Sequence, residues 1–291
     1  MMDEKKIPLA QDRVDVINRI SQFEKEGGES FFKDAEIDPP TRPILPDEVD
    51  YLNKKLSSKI KTFFACIIEW FGKKMLKKKF DITVMGEENI RDIKGGAIIT
   101  SNHFGFFESL NVKLASEKAK KKHKLYKVVR EGNFFMTGLF GFLLRNCRTL
   151  PLSSNLHTMK KLDLSITELL KKDNFILIYP EQALWWNYPK PRPYRLGAYH
   201  YASKNNVPII PCFVTLSKKG TIGKDGFPDL KYTIHIMKPI YPDPDKKVRD
   251  NAKEMQEANS RLTFAKYEEI YGVPVTYGDY SLETAINGVV K

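Results

Sequence analysis

Hydrophobic positions in this chain fall into short runs that switch between the two periods of regular structure. The alternation is sustained from residue 81. Asp81-Ile82-Thr83-Val84-Met85 reads as a strand, and Gly95-Gly96-Ala97-Ile98-Ile99-Thr100 as a second, buried one. A helix is expected over about 106–119, a strand at 125–129, an apolar helical segment over 134–144 and a short strand at 148–152. Residues 156–171 carry helical periodicity, and Phe175-Ile176-Leu177-Ile178-Tyr179 is a strong strand signal. A helix near 196–205 leads to a strand at 207–214; residues 231–237 alternate as a last strand, and 247–270 read as a charged terminal helix. Strands interleaved with helices predict an α/β domain, a mixed sheet flanked by helices.

Different patterns flank that domain, expected over 81–245. Residues 1–46 are polar and end in Pro39, Pro40, Pro43 and Pro46, an arm that is mostly helical or loose. Within 47–80, Thr62-Phe63-Phe64-Ala65-Cys66-Ile67-Ile68-Glu69-Trp70-Phe71 is framed by lysines. Lys54, Lys55, Lys59 and Lys61 precede it; Lys73, Lys74, Lys77, Lys78 and Lys79 follow. An apolar stretch shorter than the ~18 residues that span a bilayer, with Trp70 and Phe71 among lysines, matches an N-terminal membrane-interface helix. A core helix with solvated ends has the same pattern. Residues 246–291 read as a C-terminal helical extension.

The net charge of +12 narrows the partners to polyanions, nucleic acid or an anionic lipid surface. Nucleic acid is set aside: no helix-turn-helix, RNA-binding sheet motif or zinc module is visible. The run Lys118-Ala119-Lys120-Lys121-Lys122-His123-Lys124 could touch an anionic lipid or nucleic acid, but it reads first as a plain solvated face. Cys66, Cys147 and Cys212 have no C-x-x-C spacing, which fits a reducing compartment and gives no metal site. The polar first 40 residues lack an apolar leader segment, so the expected location is the cytoplasmic face of the cell membrane, as a peripheral or monotopic protein.

The sharpest candidate chemistry is Ser101-Asn102-His103-Phe104-Gly105-Phe106-Phe107-Glu108. A buried strand ends at Thr100, His103 stands in the turn, and a carboxylate follows five residues later. Loops at strand ends are where open α/β sheets place their sites, and an acid that orients an imidazole makes it a better base toward a hydroxyl. A histidine capping the next helix would look the same. Four segments in order change the picture: Asn102-His103 with Glu108, Tyr179-Pro180-Glu181, Arg195-Leu196-Gly197-Ala198, and Val207-Pro208-Ile209-Ile210-Pro211. They resemble the glycerolipid acyltransferase family, whose best-known members acylate lysophosphatidic acid. That family carries Asn-His-x-x-x-x-Asp, Phe-Pro-Glu-Gly-Thr-Arg, Lys-x-Gly-Ala and Val-Pro-Val-x-Pro.

The resemblance implies acyl transfer from an acyl-CoA or acyl carrier protein thioester to the hydroxyl of a lysophospholipid such as 1-acyl-sn-glycerol-3-phosphate. His103 is the implied general base and Glu108 its partner, with no metal or organic cofactor. Asn102, Arg148, Glu181, Gln182, Arg195 and Gly197 are the implied substrate-binding positions, with Arg192 a further candidate for an anionic head group. Oxyanion donors are expected from backbone N–H groups near 182–184 or from the first helix's N-terminus. The departures matter. Glu108 replaces Asp, and Gln182-Ala183-Leu184 replaces the Gly-Thr-Arg that in the family helps to hold the acceptor's phosphate. Trp185, Trp186 and Tyr188 follow, either a reshaped acceptor pocket or lipid-contacting loop, or core packing. A different acceptor, another lysophospholipid or a glycolipid, and a non-catalytic membrane-binding scaffold are the alternatives. Residues 134–144 either line an acyl-chain tunnel or pack on the sheet.

Overall fold

The structure, a computed structural model, describes residues 7–37 and 41–288; Pro39 and Pro40 of the proline-rich stretch lie outside the described residues. The arm forms α1 (Gln11–Glu26) and a 3-10 turn (Gly28–Phe32), and the lysine-framed segment is one long helix, α2 (Leu56–Lys79). The alternation then runs β1 (Thr83–Met85), α3 (Glu88–Arg91), β2 (Ala97–Thr100), α4 (Ser109–Ser116), β3 (Leu125–Val129), α5 (Glu131–Phe134), α6 (Gly138–Asn146) and β4 (Thr149–Pro151). It continues with α7 (Leu156–Lys171), β5 (Phe175–Ile178), α8 (Gly197–Lys204), β6 (Ile209–Ile222), β7 (Pro228–Ile236), α9 (Val248–Tyr271) and α10 (Leu282–Asn287).

The strands form one mixed sheet in the order β1-β7-β6-β2-β5-β3-β4. From β6 to β4 all neighbours are parallel, while β7 runs antiparallel to β6 and β1 follows β7. β2 is central, with Ile98 paired to Ile176 of β5 and Ile209 of β6. Its side chains are buried on both faces because helices cover both. Ala97 and Ile99 join Val112 and Ala115 of α4 on one side; Ile98 joins Ile166 of α7 and Tyr199 of α8 on the other. Gly96 sets the start of β2 against the end of α7: a Cβ there would lie 2.3 Å from the Leu170 carbonyl oxygen.

Three elements differ from the sequence reading. β6 runs eight residues past Val214, because Thr215–Ile222 pairs with β7 as a hairpin whose outer part is polar and exposed, so hydrophobicity does not mark it. The segment 134–144 breaks into α5 and α6 where Gly138 turns left-handed (φ +68°). The helix expected from 106 begins only at Ser109, since the preceding turn is tied to a side chain.

α2 is apolar on its outer side. Leu56, Ile60, Phe63, Phe64, Ile67, Trp70, Phe71 and Met75 are exposed, whereas its inner face carries Thr62, Ala65, Cys66 and Glu69. Glu69 meets the ammonium of Lys127 from β3 at 2.6 Å. Cys66 and Cys147, distant in sequence, join Glu69 with their donor atoms within 4.8 Å of one another, and Lys127 already supplies the positive charge of that cluster. No helix among the described residues is long and apolar enough to cross a membrane.

Candidate active site

β2 delivers the chain to the carboxyl end of the parallel strands, where Asn102 pins the loop. Its side-chain oxygen accepts the Val214 N–H at 2.9 Å and its amide donates to the Val214 carbonyl at 3.0 Å. Both polar ends of Asn102 are thus consumed by β6, and the residue fixes where His103 stands.

Glu108 organises the turn that follows. One oxygen takes the Phe104 and Gly105 N–H groups at 2.5 and 2.7 Å; the other pairs with His103 Nδ1. The Glu108 side chain is 2% exposed and that of His103 18%. With Nδ1–H given to the carboxylate, the ring keeps Nε2 as an acceptor. The ring lies flat on Tyr179, at the end of β5, with centroids 4.2 Å apart and planes 9° apart. Burial, helped by the Glu108 charge, raises the Tyr179 phenol well above its usual value, so it stays neutral.

Glu181 is the second carboxylate of the site. It accepts from the His103 N–H at 3.0 Å, from the Arg192 N–H at 3.0 Å and from Arg192 Nη2 at 2.9 Å. Gln182 turns the chain through a left-handed conformation (φ +63°) and is exposed. The loop that follows runs beside the histidine: the Trp185 N–H donates to the His103 carbonyl at 3.0 Å and the Asn187 N–H to that of Phe104 at 2.9 Å.

The sequence candidates divide in space. His103, Glu108, Asn102, Glu181 and Gln182 converge. Arg195 lies on the adjoining surface, paired with Glu29 and stacked 3.6 Å over Phe32; Gly197 opens α8. Arg148 precedes β4, at the amino ends of the parallel strands, so it does not share a pocket with His103; it lines a separate cavity of 270 Å³ with Tyr126 and Lys61. Arg192 is fully buried, bound to Glu181 and to the Phe31 carbonyl at 2.9 Å, and cannot reach a head group. The N–H groups of 182–185 are all taken, by Tyr179, Glu181, Asp34 and His103, which removes them as oxyanion donors. Phe106 and Phe107 at the entry to α4 keep N–H groups without a hydrogen bond among the described residues. Trp185 is core: it is buried against Phe31 and Tyr188, and Trp186 packs on Phe227. Sequence reasoning missed Tyr179 as the platform under the imidazole and Asp34, whose carboxylate caps the Leu184 N–H at 2.7 Å. Tyr179 could have been found from its place directly before Pro180-Glu181; nothing in the sequence points to Asp34.

The other histidines are structural or exposed. His123 sits between the Asp173 and Ile93 carbonyls and stacks on Phe175, and His235 is buried against Thr215.

The family model for acyltransferases matches residues 81–215. Among solved structures, the 1-acyl-sn-glycerophosphate (LPA) acyltransferase PlsC from Thermotoga maritima has a similar fold, with a TM-score of 0.51 and 18% identity over 78% of this chain and 87% of that one. No curated protein matches the chain.

Proposed function

We propose that the chain moves a fatty acyl group from acyl-CoA or acyl carrier protein to a hydroxyl of a lysophospholipid-class acceptor; the acyltransferase family model that matches residues 81–215 and the fold shared with a 1-acyl-sn-glycerophosphate acyltransferase support this reading. The observation that carries this is the His103–Glu108 pair, with the carboxylate locked by two backbone N–H groups and Nε2 left as the ring's acceptor. His103 Nε2 takes the proton of the acceptor hydroxyl as its oxygen attacks the thioester carbonyl. Glu108 stabilises the imidazolium, the tetrahedral oxygen collapses, and the thiolate leaves with the proton; no acyl-enzyme forms. The free N–H groups of Phe106 and Phe107 suit the developing oxyanion, because they precede a helix N-terminus.

The reaction takes place on an anionic membrane surface at the cytoplasmic face. The outward apolar row of α2 and its lysines support docking there, joined by exposed Phe106, Phe107 and Leu139 near the mouth of the site. Each lysine near such a leaflet contributes about 1 kcal/mol.

A second reading, a different acceptor, is favoured by the cations near the site, since Arg192 and Arg195 are each paired with a carboxylate of the chain. The test is incubation of the protein in detergent micelles with palmitoyl-CoA or palmitoyl acyl carrier protein and a panel of lysophospholipids, monoacylglycerol and lyso-glycolipids. Acylated product from any of them supports the reaction class, and its identity chooses the acceptor. Complete silence across donors and acceptors contradicts the proposal and favours a non-catalytic scaffold.

A further inference from the structure

The arm places a carboxylate against the loop that follows β5, one residue from the point where that loop binds the His103 carbonyl. Asp34 accepts the Leu184 N–H at 2.7 Å with one oxygen and pairs with Arg130, the residue after β3, through the other. Leu184 directly precedes Trp185, whose N–H holds the His103 carbonyl at 3.0 Å, so this donor set adjoins the histidine loop. A backbone N–H and a guanidinium converging on the two oxygens of one group is the arrangement by which proteins hold a phosphate. Here the chain fills it with its own anion.

The same matching extends across the loop. Within 181–195, Lys190 is paired with Glu24 and Asp279, Arg192 with Glu181, and Arg195 with Glu29. Next to Arg130, Glu131 accepts from the Ile44 N–H at 3.0 Å, the Ser153 hydroxyl at 2.7 Å and the Ser154 N–H at 2.9 Å, which adds a second carboxylate at the ends of β3 and β4. A phosphate monoester entering here would meet two carboxylates, while the positive charges of the loop are already neutralised. A neutral polyol meets acceptor oxygens that its hydroxyls can satisfy.

We propose that Asp34 is a built-in anion that closes this donor set to phosphate and selects an acceptor with an uncharged, hydroxyl-bearing head, such as a monoacylglycerol or a lyso-glycolipid. The inference rests on the acyltransferase reading of the His103 site and adds the charge class of its acceptor. Asp34 is a specificity residue of that site: it acts on the acceptor's head and leaves proton transfer to His103.

Two measurements on the full-length protein test it. In the first, wild type, Asp34→Asn and Asp34→Ser acylate lysophosphatidic acid and monoacylglycerol with palmitoyl-CoA, read as the ratio of the two kcat/KM values. Wild type should favour the neutral acceptor by about tenfold or more, and both variants should shift the ratio toward lysophosphatidic acid by about tenfold, the size of one charged hydrogen bond exchanged. A wild type that prefers lysophosphatidic acid, or variants that leave the ratio unchanged, overturns the proposal. The second reads inorganic phosphate as the probe, by the thermal shift it produces. Phosphate should stabilise the variants and leave wild type unmoved; equal stabilisation of all three overturns the proposal. If no acceptor is acylated, the acyltransferase reading fails on its own, and the phosphate measurement still decides whether Asp34 blocks an anion site. Should both variants fail to fold, the wild-type ratio and its phosphate response decide.

Discussion

Glu108 divides its oxygens between the His103 ring and the N–H groups of Phe104 and Gly105, so the turn that holds the proposed base and the charge beside it depend on one side chain. Glu108→Gln separates the two jobs. The amide oxygen can still take the backbone N–H groups, but the NH2 then donates to Nδ1 and drives the ring proton to Nε2, the wrong nitrogen for a base. The expected result is a fall in kcat of about 100-fold or more with little change in KM and a melting temperature near wild type. Glu181 has a different liability. Its partner Arg192 is fully buried, so Glu181→Gln leaves a guanidinium without its counter-charge and should lower stability by about 3–5 kcal/mol, read by denaturant unfolding. His235 sets a pH dependence away from the site: burial lowers its imidazole from 6.5 to about 4. In that window the unfolded chain binds a proton that the folded protein excludes, so stability rises with pH and is lost as pH falls from 6.5 toward about 4. His235→Asn, which cannot titrate, should flatten that slope in melting curves taken across the range.

α2 shows where sequence pattern runs out at the scale of an element. Thr62–Phe71 displays its apolar residues and lysines plainly, but an amphipathic stripe does not say which side is inside. The fold answers through Glu69, whose carboxylate turns inward to Lys127 at 2.6 Å, which leaves Phe63, Trp70 and Phe71 outside. The two faces should respond differently to substitution. Trp70→Ser with Phe71→Ser should reduce binding to anionic vesicles in a sedimentation assay and leave the melting temperature nearly unchanged. Glu69→Ala strands a buried lysine and should cost on the order of 3 kcal/mol of stability. Strand signals fared by burial in the same way. β2 and β5, covered on both faces, were plain as apolar runs, while the outer half of β6 is an exposed polar hairpin that hydrophobicity could not mark.

Across the whole molecule, the arm and the loop 181–195 form one unit. Val16, Ile17, Ile20 and Phe31 pack with Trp185, Tyr188 and Tyr280, and the Trp185 indole donates to the Lys33 carbonyl at 2.9 Å. The order of strands and helices was legible because each rests on local periodicity. The docking of the arm was not, since Asp34 and Leu184 stand 150 residues apart and nothing local to either announces the other. The sheet order, which puts β7 antiparallel beside β6 and returns β1 to its far edge, is hidden for the same reason. Both the histidine loop and the Glu181 loop were legible as motifs, and the fold brings them together at the end of β2 and β5. The proposed chemistry turns on His103 as the base of an acyl transfer. The most direct measurement is transfer of radiolabelled palmitate from palmitoyl-CoA to the preferred acceptor by wild type and His103→Ala, at matched folded concentration. A loss of about 100- to 10,000-fold in the variant is expected. Transfer at the wild-type rate by His103→Ala would contradict it.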